Sequence, residues 1–151
     1  MKKLFIFIVF VFVFTNSNSQ EIGFGLTIQG PSSGLSGKVV FDNTHAGEII
    51  FGVLGTVNNL SGKYSYYINR ENKLDKYIYL QAGNWKYNSI GVDESVFGYA
   101  IGVGIDFSLT SFYWWPKNLK TSIELGLNKV NLNYYDYPSI NFGVGLHYYL
   151  D

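Results

Sequence analysis

Apolar and polar positions alternate with period 2 along most of the chain, which is the strand period. The clearest run is Ile140 to Leu150, where Ile140, Phe142, Val144, Leu146, Tyr148 and Leu150 share one phase. Asn141, Gly143, Gly145 and His147 share the other. Eleven residues exceed the about 5–6 of an ordinary soluble strand and match the roughly 9–11 of a tilted strand crossing a bilayer. Ser95–Phe107 repeats the pattern, with Phe97, Tyr99, Ile101, Val103, Ile105 and Phe107 opposite Gly98, Ala100, Gly102, Gly104 and Asp106. Six further strands follow from the same reading. They are Ile22–Gln29, Leu35–Asp42, Glu48–Asn58, Tyr64–Asn69, Tyr77–Tyr87 and Leu119–Asn128.

Turns are expected at Gly30–Gly34, Asn43–Gly47 and Asn58–Gly62. Loops are expected at Asn69–Lys76, Ser89–Glu94, Ser108–Asn118 and Lys129–Ser139. In the third strand Ile49, Phe51, Val53 and Val57 are assigned outward. The fifth strand has two readings. Either Tyr77, Tyr79, Trp85 and Tyr87 face outward, or Ile78, Leu80 and Ala82 do, and a bulge near Ala82-Gly83 would serve both. Eight strands, short connections and no convincing helix after residue 19 predict an all-β, antiparallel, up-and-down barrel with both termini on one side.

Alternation alone does not say which phase faces out. A soluble barrel would point the apolar phase inward, and a transmembrane barrel inverts it. Gly and Ala dominate the small phase of the first, sixth and last strands, a poor surface for water and a workable crowded interior. The apolar phase is large and aromatic over five or six consecutive positions. Tyr64, Tyr87, Trp114, Trp115, Tyr134, Tyr135, Tyr148 and Tyr149 fall near strand ends, as interfacial girdles do. The transmembrane orientation is therefore expected.

Composition agrees with this. The chain has Gly 17, Tyr 13 and Phe 12 against Pro 3 and Met 1 in 151 residues, enough for one domain. Eleven basic and eleven acidic residues cancel, which removes any electrostatic argument for nucleic acid. With Cys 0 there are no disulfides, thiolate metal sites, Cys nucleophile or lipid-modified Cys. Residues 1–19 read as a signal peptide, with Lys2 and Lys3, an apolar run from Leu4 to Phe14, and Ser17 and Ser19 before a cut at Gln20. The barrel domain is then 20–151, slightly acidic once the two leader lysines are gone. An uncleaved anchor is the alternative.

The segment from Gly98 onward resembles a family of small outer-membrane barrel proteins of Bacteroidetes-type bacteria. The resemblance rests on Gly102-Val103-Gly104-Ile105-Asp106-Phe107, a Pro-containing aromatic turn, Leu119-Lys120-Thr121-Ser122-Ile123-Glu124-Leu125, and the closing Phe142 to Leu150. Gly37-Lys38-Val39-Val40-Phe41 looks like the family's second strand. Where that family continues its seventh strand with an aromatic-Lys-Pro step, this chain has Leu125-Gly126-Leu127, and Leu150-Asp151 follow Tyr149 at the end. The resemblance implies a bacterial outer-membrane barrel, with outer-membrane lipid and the barrel-assembly machinery as partners, and no assigned activity. A monomer is expected.

In the transmembrane orientation Lys38, Asp42, Asp106, Lys120, Ser122, Glu124, Asn141 and His147 point into the lumen. An eight-stranded barrel is just wide enough to be filled by side chains, so these charges must be paired or wet. A rigid polar plug is the first reading, and a narrow path for water or small ions the second. Ser122, Glu124 and His147 share a phase on adjacent strands and form the best available constellation for a lipid-modifying barrel enzyme. No nucleophile-elbow motif accompanies them, and a plain hydrogen-bonding role for His147 is preferred. Phe112–Trp115 and Tyr134–Tyr137 read as interface anchors, or alternatively as stacking platforms for sugar or a partner. No metal site, cofactor motif, P-loop or calcium loop is present. The expected role is structural or surface-interacting without catalysis. The alternatives are the lipid-modifying enzyme and a soluble, lipocalin-like carrier of an apolar ligand.

Overall fold

The computed structural model of the chain describes residues 21–150 apart from 31, 72–73 and 109–115, with residue 71 described by its backbone alone. The proposed signal segment and the Phe112–Trp115 cluster lie outside the described residues. Among the described residues, eight antiparallel strands close on themselves in chain order, with β1 paired to β8. They are β1 (Glu21–Gln29), β2 (Ser32–Val40), β3 (His45–Gly52), β4 (Val57–Glu71), β5 (Leu74–Ser89), β6 (Val92–Ser108), β7 (Leu119–Lys129) and β8 (Ile140–Leu150). Closure leaves both ends of each ladder paired, so the barrel proper has no open edge.

The orientation is that of a membrane barrel. Phe24, Leu35, Phe97, Ile101, Leu125 and Phe142 stand on the outside, at 54–70% exposure. Lys38, Glu48, Lys63, Asp106, Glu124 and His147 lie inside at 1–4%. A water-soluble carrier would need the reverse, since charges without water must be paired while exposed rings in water gain nothing. The chain is thus an eight-stranded transmembrane β-barrel.

Several element boundaries differ from the sequence reading, each for a local reason. β3 stops at Gly52, and a four-residue turn (53–56) follows. The expected turn at Asn58–Gly62 is therefore strand, in register with both Ile49–Gly52 and Ala82–Trp85. That turn resets the alternation, so Val57 points inward and is fully buried instead of facing out. Of the expected loop at 69–76, residues 69–71 and 74–76 pair as strand, and the expected loop at 89–94 is a tight hairpin turning on Ile90-Gly91 alone. Gly91 there has φ 77°, a left-handed conformation suited to glycine. β2 begins at Ser32 and ends at Val40, so Asp42 is not a lumen residue. It sits in the β2–β3 turn and accepts from the N–H groups of Thr44 and His45 at 2.6 and 2.7 Å. Those bonds, Thr44 foremost, hold its carboxyl below the usual carboxylate range.

The ambiguous fifth strand takes the second reading, with Ile78, Leu80 and Ala82 outward and Tyr77, Tyr79 and Trp85 inward. The reason lies on the neighbouring strands. Tyr79 lies over Gly102 of β6 and Gly126 of β7, and Tyr77 over Gly104. A Cβ at any of these three glycines would collide with a tyrosine ring. Phe or Tyr cannot point into so narrow a bore unless an adjacent wall lacks side chains. No register shift occurs at Ala82-Gly83, and the bulge falls on β4 at Tyr67/Asn69. Tyr149, expected in a girdle, is likewise inside at 7% exposure, against Gly23. Tyr64, Tyr134 and Tyr148 remain outside.

Candidate functional site

Among the described residues, buried polar chemistry is concentrated in the lumen, and it is layered along the barrel axis. At the mouth on the terminus side, Glu21, Arg70, Asp75 and Lys120 line a polar vestibule of about 720 Å³. Arg70 contacts Glu21 at 2.7 Å and Asp75 at 3.7 Å. Lys120 contacts Asp75 at 3.3 Å and Glu21 at 3.9 Å. Two acids and two bases thus alternate around the opening. Lys120 is a mouth residue, one quarter exposed.

Deeper in, Lys38 of β2 crosses the bore to Asp106 of β6 at 2.7 Å, and the Tyr67 hydroxyl donates to the same carboxylate oxygen at 2.6 Å. The Lys38 ammonium also lies 5.0 Å from the Tyr77 ring centre, within cation–π range. Above it, Lys63 of β4 bridges Glu124 of β7 at 2.7 Å and Glu48 of β3 at 2.9 Å. Tyr77 donates its hydroxyl to Glu124 at 2.7 Å. His147 reaches across the Gly25 position of β1 to Ser36 at 2.7 Å. A Cβ on Gly25 would run into the backbone of Leu146 and His147. Thr27 joins this group through Ser36 at 3.0 Å and Glu48 at 3.3 Å. A neutral layer follows, Gln29 to Gln81 at 3.0 Å and Gln81 to Ser61 at 2.8 Å.

The far mouth is closed differently. Val57, Trp85, Val130 and Tyr137 form a buried apolar cluster, with Leu132 and Tyr135 packed against it. The β7–β8 loop, Val130–Ser139, therefore folds back over the opening. Trp85 donates its indole N–H to the Tyr137 hydroxyl at 3.2 Å, and Tyr135 stacks on Tyr87 at 5.4 Å. Glu94 ties the loop down by accepting from the N–H of Asn133 at 2.8 Å and of Tyr134 at 3.1 Å. Those donors, Asn133 foremost, hold the Glu94 carboxyl below its usual range. Of the aromatic loop read from sequence, Tyr137 is thus a plug and Tyr134 faces out.

Six of the sequence-named residues are buried in the lumen: Lys38, Asp106, Ser122, Glu124, Asn141 and His147. The Ser122–Glu124–His147 constellation is not assembled as such, because Glu124 is engaged by Lys63 and Tyr77 while His147 bonds Ser36. Ser36 and Glu48 both approach the same ring nitrogen of His147, Nε2, at 2.7 and 3.4 Å. A relay needs its nucleophile and its acid on opposite ring nitrogens, so this geometry is a hydrogen-bonding node. Glu48 and Lys63, which carry the central bridge, were not singled out in the sequence. Glu48 interrupts an apolar stretch in the same phase as Ala46 and Ile50, and Lys63 shares a phase with Ser61 and Ser65. A lone charge in the small phase was the available signal. Among the described residues, no three His, Asp or Glu side chains are grouped to hold a metal.

No protein-family model and no curated protein sequence matches the chain. Solved structures do. The N-terminal β-barrel domain of Pseudomonas aeruginosa OprF superposes with TM-score 0.60 at 15% identity, over 89% of this chain and 98% of that one. A de novo designed transmembrane β-barrel gives 0.54 at 11% identity, over 90% and 98%. Ail, the attachment invasion locus protein of Yersinia pestis, gives 0.44 at 18% identity, over 87% and 97%. At such identities the likeness to the first two is one of fold, and that fold is the closed transmembrane β-barrel.

Proposed function

We propose that the protein is a small, monomeric barrel of the bacterial outer membrane with a structural or surface-interacting role and no catalysis. The observation that carries this reading is the ion-paired bridge Lys38–Asp106 and Glu48–Lys63–Glu124, which spans the bore between opposite walls. Central charges bonded to one another across the bore favour a rigid plug over a continuous water file, below the vestibule that opens at the terminus-side mouth. The inverted surface supports membrane insertion, and the OprF likeness supports the outer membrane. The Gly102–Phe107 and Phe142–Leu150 motifs support the Bacteroidetes-type family and delivery by the barrel-assembly machinery. The proposed leader 1–19 supports export, which puts the termini and the charged vestibule on the periplasmic side. The Glu94-clasped loop and the Ile90 hairpin tip then face the exterior.

Planar-bilayer recording of the purified protein tests the closed lumen. The expected result is no unit conductance, and regular steps in the wild type would overturn it. Lipid mass spectra of cells carrying His147→Ala test the absence of catalysis. Spectra matching the wild type are expected, and loss of a modified lipid species would return the enzyme reading.

A further inference from the structure

The barrel carries two kinds of glycine, and only one kind is explained by the fold. Gly102, Gly104 and Gly126 face the lumen, where a Cβ would strike a tyrosine. Gly37 and Gly62 face outward, and their space is open. A Cβ at Gly62 would meet no atom within 4 Å, and one at Gly37 only the Phe24 ring edge at 3.9 Å. Strand glycine is disfavoured, and close approach by a ligand or another backbone is one reason to keep it. None of the described residues makes that approach.

These positions lie on one continuous register row across six strands: Phe24, Gly37, Ile49, Gly62, Ala82, Tyr99. Three of the four inner members are small. Larger side chains stand two residues away on either bank, Leu35 and Phe51 on one and Tyr64 and Leu80 on the other. The result is an apolar groove of about 1070 Å³ sunk into the lipid-facing surface.

We infer that this groove holds one acyl chain of a membrane phospholipid. The inference rests on the membrane-barrel reading and adds a ligand to it. The groove is continuous with the apolar belt, so its occupant comes from the bilayer. Five strand spacings make it roughly 24 Å long. A row perpendicular to strands tilted by about 35–45° climbs roughly 15 Å, half of the ~30 Å hydrocarbon core. That is the depth of one leaflet. It starts near the terminus-side end of β1 at Phe24 and ends midway along β6 at Tyr99, so the leaflet is the one on the terminus side. A second copy of the barrel fits worse. A convex partner touches two or three adjacent strands, and the groove lining offers far less than the roughly 800 Å² per partner of a standard interface.

The test is native mass spectrometry of the full protein released from nanodiscs of palmitoyl-oleoyl phosphatidylethanolamine. The wild type is expected to retain one phospholipid. Gly62→Leu fills the open floor, where a Cβ meets no atom within 4 Å, and should cut the lipid-bound fraction at least fivefold. Ala82→Leu should act alike, while Val144→Leu, outward on β8 away from the groove, should retain the lipid. Absence of bound lipid in the wild type, or retention unchanged by both groove variants, overturns the inference. A dimer lost on Gly62→Leu would assign the groove to a second copy and also overturn it. Failure of membrane insertion itself would show earlier, as protein that enters no nanodisc.

Discussion

Replacing Lys63 by methionine removes the one cation between Glu48 and Glu124 while keeping most of the side chain's volume. The Lys63 ammonium is 2.7 Å from one carboxylate and 2.9 Å from the other, and all three groups are buried. At an effective dielectric constant near 20, each contact is worth ~6 kcal/mol of Coulomb energy, most of it offset by desolvation. In the variant, two carboxylates face each other across the bore. Left without their cation, the two buried carboxylates repel each other, and the expected destabilisation is about 3–5 kcal/mol, that of removing one partner from a buried ion pair. Urea titration of the protein folded in lipid vesicles measures it, followed by tryptophan fluorescence and by the gel shift between folded and heated barrel. The double variant Lys63→Met, Glu124→Gln should recover at least half of the loss, since only Glu48 then stays charged and His147 is 3.4 Å away. A single variant that loses under about 1 kcal/mol, or a double variant no more stable than the single, would refute the bridge as the element tying the walls together.

Gly104→Leu should destabilise by about 1–3 kcal/mol or more by overpacking against Tyr77, with partial rescue by Tyr77→Ala in the same urea titration. Ile101→Lys puts a charge on the lipid face and should cost about 2–4 kcal/mol in vesicles. A neutral outcome there would contradict the outward assignment of β6. The Glu94 clasp has a carboxyl lowered in the folded state, so it stabilises the loop above the usual glutamate pKa of about 4.3 and is lost as pH falls through the folded-state value. Amide exchange at Asn133 and Tyr134, corrected for intrinsic rates, should speed up in acid, and at pH 7 Glu94→Gln should reproduce the acid behaviour.

Period-2 patterning was enough to read an all-β barrel of eight strands, because each strand has to present one greasy and one small or polar face whatever its neighbours are. The sequence also told which phase meets lipid on β1, β6 and β8, where glycine and alanine leave no water-facing surface. It could not orient β5, where both phases are apolar. That choice was made by Gly102, Gly104 and Gly126 on two other strands, which alone leave room for Tyr77 and Tyr79. Nor could it place Val57, whose facing depends on the length of one turn. Six lumen residues were legible as lone polar groups in a small phase. Their pairing was not, because Lys38 with Asp106 and Lys63 with Glu124 meet only once the wall has closed and distant strands face each other across the bore. Local alternation is a property of the chain alone, whereas partners across a cylinder are set by register and curvature, which only the folded barrel possesses.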